Sequence, residues 1–292
     1  MPLDPDRLMN WPVPEIRQTL TRRDTMLYAL SIGIGQDPMD EAALAFLDER
    51  RLVAMPSMAV VLGYPGFWLG NPETGVDAVR LVHGEQSLTV HRPLPVEGEL
   101  VGRTRVTGLV DRGEGKGAIL YSERVISDAG TGEAIATVAQ STFLRGDGGF
   151  SGGDPRWVGP ARPPHPEPDG APGRSLDLAT RPEQALLYRL NGDLNPLHMD
   201  PAVARKAGFE RPILHGLCTF GVVCHALVRA LCGGDPARFG SVALRFSAPV
   251  FPGETIRTEF WEGPDGAAFR ARVVERDKVV VSNGRFGYRA SA

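Results

Sequence analysis

Hydrophobic and polar residues alternate along four stretches near the C-terminal end of the chain: Ser241–Phe246, Thr255–Trp261, Ala267–Glu275 and Lys278–Tyr288. Turn chemistry separates them at Pro252-Gly253, Pro264-Asp265-Gly266 and Arg276-Asp277, so they are predicted as antiparallel strands. Upstream, Leu217–Leu231 is apolar nearly all round, the pattern of a helix buried on most faces, and Cys232-Gly233-Gly234-Asp235-Pro236 stops it. One buried helix followed by a meander implies a sheet wrapped around that helix, an α+β architecture. Glu85–Arg92, Leu100–Val110, Ala118–Ser127 and Glu133–Leu144 repeat the strand pattern in the first half. There the equivalent of the long helix is shorter, broken by Pro56, Gly63 and Pro65. Arg181–Leu190 is predicted helical, and Asp200-Pro201 with Gly208 supplies the N-cap, N1 and C′ signals of a further short helix.

Half of Gly146–Ser175 is glycine or proline, a composition that cannot build a core. It divides the chain into an N-terminal unit, 1–145, a linker, 146–175, and a C-terminal unit, 176–292. The two units look duplicated. Tyr28–Asp40 and Tyr188–Asp200 share Tyr, Leu and a terminal Met-Asp, and Pro93–Glu99 parallels Pro249–Glu254, both at offsets of about 155–160 residues. Gly33, Gly35 and Pro38 stand in the first copy where the second has Asp193, Asn195 and His198. One copy has kept polar chemistry that the other lacks.

A formal net charge of -3 leaves no electrostatic footprint for nucleic acid. No apolar stretch approaches the roughly 20 residues that span a bilayer, and no secretory signal is evident. Three cysteines, Cys218, Cys224 and Cys232, form no CxxC pair and fall in one apolar segment, which fits a reducing cytoplasm. The chain ends Arg-Ala-Ser-Ala, unlike the peroxisomal Ser-Lys-Leu address.

The chemistry concentrates in Tyr188-Arg-Leu-Asn-Gly-Asp-Leu-Asn-Pro-Leu-His-Met-Asp200. Pro196 has no N–H and holds Asn195 extended, so Gly192–Pro196 is a turn rather than a helix interior. Asp193 and His198 then project into shared space, two groups of different proton affinity able to hold one water. Asp193 and Asn195 bracing a tight turn is the plainer alternative.

This string resembles the signature of the MaoC-like (R)-specific enoyl-CoA hydratases, aromatic–x–Leu–small–Gly–Asp–x–Asn–Pro–Leu–His. The likeness continues through Pro201, Ala207–Phe209 and Arg211–Gly221, and Leu81–Gln86 with Arg92–Pro95 is similar to the double-length hydratase 2 branch. The resemblance implies a double hot-dog fold: two antiparallel sheets, each wrapped around a helix, with the long helix complete only in the second half. It implies that Asp193 and His198 are the catalytic pair, that Asn195 helps to position the water, and that the Gly216 amide forms the oxyanion hole. Gly216 also precedes the buried helix, whose first amides are unpaired and partly positive. The implied reaction is syn hydration of a trans-2-enoyl-CoA to a (3R)-hydroxyacyl-CoA. Coenzyme A enters as part of the substrate, and no metal, flavin or nicotinamide is expected.

His215 is a candidate for orienting the oxyanion turn. Tyr188 and Asp200 flank the pair, with a capping role expected for Asp200. His83 and Glu85 are expected to line the cavity between the halves. Ile32, Ile34, Met55, Met58, Val60, Val61, Leu62, Phe67 and Trp68 are expected to wall an acyl tunnel in the degenerate half. A hot-dog thioesterase is the competing enzyme, but Leu217–Leu231 carries no Asp or Glu to aim at a thioester carbonyl. A non-catalytic acyl-binding subunit is the third reading, and a homodimer is the expected assembly.

Overall fold

In the computed structural model, which describes residues 3–289, ten strands form one antiparallel sheet in the order β1-β3-β4-β5-β2-β7-β10-β9-β8-β6. Strands β1 (Ile16–Leu20), β2 (Leu81–Val90), β3 (Gly98–Asp111), β4 (Ala118–Asp128) and β5 (Ala134–Leu144) come from the first half. Strands β6 (Arg174–Ala179), β7 (Phe239–Phe246), β8 (Thr255–Gly263), β9 (Gly266–Val273) and β10 (Lys278–Tyr288) come from the second. The order within each half is the same, and the halves meet antiparallel along β2 and β7, with Ser87 opposite Ala243. The two sheets expected from the sequence are therefore a single continuous one. Pairing the two innermost strands satisfies backbone groups that would otherwise be left as a buried edge.

Among the described residues, five α-helices accompany the sheet: α1 (Pro5–Met9), α2 (Arg22–Ser31), α3 (Gln184–Tyr188), α4 (Pro201–Lys206) and α5 (Gly216–Leu231). The long helix α5 buries Phe220, Val222, Val223, Leu227 and Val228, as its all-round apolar sequence requires. Gly221 marks its closest approach to the first half, because a Cβ there would lie 2.4 Å from Ile32 Cγ2 and 3.0 Å from the Tyr28 hydroxyl. In the first half the corresponding position holds only the 3-10 turn Pro56–Val60. Proline at its start and glycine after it prevent a longer helix.

Ile32, Ile34, Met55, Met58, Val60 and Leu62 are packed with α5 in one core that spans both halves. Phe67 is exposed, and Trp68 packs against a second cluster around Leu69 and Trp157. The residues expected to wall an acyl tunnel thus do not share one space. The Gly/Pro-rich segment has no helix or strand until β6 begins at Arg174, so the last two residues of the expected linker already belong to the strand. It is nevertheless anchored: the Asp111 carboxylate accepts from the Gly149 and Ser151 amides, each at 2.8 Å. No helix among the described residues is long and apolar enough to cross a membrane.

Candidate active site

Helix α3 passes into the 3-10 turn Arg189–Asn191, and Gly192 then reverses the chain at φ 115, a conformation open to glycine. The Asn191 amide group donates to Ser31 Oγ at 2.9 Å, tying the turn to the first half. Asp193 Oδ1 accepts from the Asn195 amide at 3.1 Å, and Asn195 Oδ1 accepts from the Leu197 amide at 3.0 Å. Asn195 thereby caps the turn Pro196–His198, leaving its side-chain NH2 to meet a solvent molecule. Asp200 caps α4, its Oδ1 accepting from the Ala202 amide at 2.7 Å, which is the expected structural role.

His198 is buried, and its Nδ1 lies 2.8 Å from the Ile213 carbonyl. A carbonyl only accepts, so Nδ1 carries the proton and Nε2 is left as an acceptor. Burial pulls this imidazole below its ordinary 6.5, and the Ile213 bond and the Asp193 charge pull back only partly. His215 stacks on it, ring centroids 3.7 Å apart and planes 26° apart. By the same argument His215 Nε2, 3.2 Å from the Asp193 carbonyl, is its protonated nitrogen, while Nδ1 is buried without a partner. Burial, reinforced by His198, lowers His215 to about 4. The Tyr188 ring lies 5.1 Å from His215, and its buried hydroxyl has no hydrogen-bond partner.

Asp193, His198 and His215 place ligand-type atoms within 4.8 Å of one another, and they form the one such trio among the described residues. Carboxylate and imidazole donors of this kind suit a zinc-type ion. With the two acceptor nitrogens neutral and the carboxylate beside them, the trio equally suits a water molecule that must lose a proton.

Gly216 begins α5 directly after His215, so the His198–His215 stack brings the Asp193–His198 turn beside the helix N-terminus. The first intrahelical donors are the amides of Cys218 and Thr219, both bonded to the His215 carbonyl. The Gly216 and Leu217 amides precede them and are available to an oxygen from outside. Gly216 is not in a left-handed conformation, and a Cβ there would meet Phe246 only at an ordinary 3.6 Å. Its use therefore lies in the amide rather than in backbone freedom.

His83 and Glu85 do not share a wall. The β2–β5 register shifts between them, a bulge at Gly84 that turns His83 to the inner face. There its ring meets Phe246 edge-on at 5.0 Å, Nε2 is buried without a partner, and burial lowers the imidazole to about 4. Glu85 pairs across the ladder with Arg245 on the outer face and accepts from Ser141 Oγ at 2.9 Å. Glu85 thus faces away from His83, into an outer hollow that residues of both halves line, among them Ser141, Arg162 and Arg245. Sequence reasoning also missed Tyr64, whose phenol is pushed up by burial and then by the Asp193 charge. Its loop after Gly63 has no periodicity, and only its aromatic ring beside turn residues signalled a role.

Comparison with known proteins agrees with this arrangement. Residues 164–284 match the MaoC like domain, and residues 19–146 match the MFE-2 hydratase 2 N-terminal domain. A protein of Arabidopsis thaliana named enoyl-CoA hydratase 2, peroxisomal, is 38% identical over 289 residues, covering 95% of this chain and 93% of its own. The crystal structure of a MaoC-like dehydratase from Phytophthora capsici is similar at TM-score 0.83 and 36% identity, over 98% of this chain and 99% of that one. A Mycobacterium tuberculosis protein described as having a double hotdog fold shares the fold alone, at TM-score 0.55 and 18% identity over 95% of this chain and 94% of that one. With the glycine–aspartate turn, the buried helix and the near full-length relative in agreement, the chain belongs to the MaoC-like family, in the branch that carries a hydratase 2 N-terminal domain.

Proposed function

We propose that the chain adds water reversibly to trans-2-enoyl-CoA thioesters and forms (3R)-3-hydroxyacyl-CoA. The observation that carries this reading is the His198–His215 stack, which sets an acid–imidazole pair against the N-terminus of a buried helix. The thioester oxygen sits on the Gly216 amide, where the helix terminus stabilises the enolate that develops. Water rests between the Asp193 carboxylate and His198 Nε2, steadied by the Asn195 NH2. One member of the pair takes the water proton as the oxygen bonds to C3; the C2 proton is delivered on the same face, so the addition is syn. His215 is a positioning residue that holds both the Asp193 backbone and the His198 ring, and Tyr188 and His83 close the walls.

This chemistry needs no resident metal, flavin or nicotinamide, and coenzyme A arrives with the substrate. The two five-stranded units, one with the long helix α5 and the other with a 3-10 turn at the same place, are read as a double hot-dog with boundaries at 1–145 and 174–292. The first is the degenerate half that walls the acyl side. A homodimer is proposed, with a reducing compartment for the three free, buried cysteines. The cytoplasm is our reading of that compartment, and the name of the Arabidopsis relative supports the peroxisome instead.

The test is incubation with crotonyl-CoA and a longer enoyl-CoA while following conjugated-enone absorbance and free thiol. Enone loss without thiol release is expected. Thiol release indicates a thioesterase, against which the absence of Asp or Glu from α5 already counts; no change in either signal refutes an enzyme of this class.

A further inference from the structure

Arg124 has no counterpart in the chemistry described so far. It lies in the middle of β4, opposite Val138 of β5, and shares the inner sheet face with the core residues Ile126, Ala136 and Val138. It is only 7% exposed. Nη2 donates to the Val60 carbonyl at 2.6 Å, but Nε is buried without a partner. The guanidinium lies over the Tyr64 ring, 5.4 Å from its centroid. Among the described residues the one titratable group that acts on it is that phenol, which is neutral at ordinary pH, while Arg124 itself, lowered by burial to about 10, is still a cation. A buried guanidinium without a counter-ion is costly, and its bond to the Val60 carbonyl leaves Nε still without a partner.

The surrounding face is polar where an acyl wall is expected to be greasy. Thr104 pairs with Arg124 across β3–β4, and Ser122, Gln140 and Gln86 form the adjacent cross-strand row. Thr104 Oγ1 and Gln86 Oε1 are buried without partners. Through the ladder, Arg124 stands two strands over and four residues along from His83, roughly 16 Å between Cα atoms at ordinary strand spacings. Tyr64 bridges the gap: its ring carries the guanidinium and its phenol feels the Asp193 carboxylate.

From this geometry we infer that Arg124 and the polar face around it form a subsite for an anionic far end of the acyl group, a carboxylate remote from the thioester. A carboxylate there accepts the free N–H groups of the guanidinium, with Thr104 within the same row of side chains. Tyr64, 42% exposed, forms the outer wall. The inference rests on the hydratase reading, since it places the other end of the same substrate.

The experiment compares kcat/KM for a chain-length series of trans-2-enoyl-CoAs, each made with either a methyl or a carboxylate terminus, in the wild-type enzyme and in Arg124→Gln and Arg124→Lys. At one chain length the wild type is expected to favour the carboxylate by at least about tenfold, the scale of a charge-assisted hydrogen bond. Arg124→Gln should abolish that preference, read as the ratio of kcat/KM on the two termini at one length, and Arg124→Lys should retain part of it. A wild type without preference at every length overturns the subsite, and needs no variant to fold. Equal loss on both termini in Arg124→Gln also overturns it, showing a structural brace. Absence of hydration on every substrate of either terminus refutes the hydratase reading instead.

Discussion

His215 lies face to face with His198, 3.7 Å between ring centroids, although seventeen positions of chain separate them. The stack fixes the plane of His198, and the Ile213 carbonyl fixes its tautomer. His215 in turn donates to the backbone of the turn that carries Asp193. The first prediction comes from this division of labour. His215→Phe keeps the stack and removes the donor, so kcat should fall about tenfold with KM little changed, as expected when a single orienting hydrogen bond is lost. Asp193→Ala and His198→Ala remove the reacting groups and should lower kcat by about 10²–10⁴, measured by enone absorbance. Full activity in either of the last two rejects the site.

Gly216→Pro isolates the oxyanion donor. Proline is tolerated at the first position of a helix, and His215 already has the extended ψ of 137 that a following proline requires. The variant should keep its Tm within a few degrees while kcat drops about 10²–10³-fold, because only the N–H is deleted. Unchanged turnover moves the thioester oxygen elsewhere.

Acid should loosen the fold before it reaches the carboxylates. Burial holds His83, His215 and His225 at about 4 against an ordinary 6.5. Between these values the unfolded chain binds protons that the folded chain refuses, so stability falls as pH drops. Above 6.5 the three groups are neutral in both states and contribute no slope. A calorimetric Tm that declines steadily from about pH 6.5 to about pH 4 is expected; a flat profile across that window contradicts the burial of these rings as neutral groups.

Gly221→Ala tests the contact between halves. The new methyl must displace Ile32 or the Tyr28 hydroxyl, so a loss of about 1–3 kcal/mol is expected despite alanine's better helix propensity. Combined with Ile32→Ala, which removes the Cγ2 that the new methyl meets, the loss should be smaller than the sum of the two single losses. Denaturant midpoints give the comparison, and a stabilised single variant shows that the halves can separate at α5 without cost.

The hydrophobic pattern by itself determined the long helix α5, the strands of both meanders and the capped helix α4, because each depends on local backbone preference and on which face of a segment is apolar. The turn around Asp193 was legible for the same reason: Gly192 and Pro196 constrain the backbone whatever surrounds them. Edge strands β1 and β6 escaped that reading, since Arg174–Ala179 is short, half polar and without a buried residue, and becomes a strand only by pairing with β8. Helix α2 escaped it too, although its Thr21–Asp24 capping box was there to be read. Tertiary structure alone decided that the Gly84 bulge sends His83 inward and leaves Glu85 outside. It alone decided that two histidines from different elements stack, and that Arg124 meets Tyr64. Local sequence carries dihedral preference and burial periodicity; it does not carry register, and register is what places side chains from distant segments against one another.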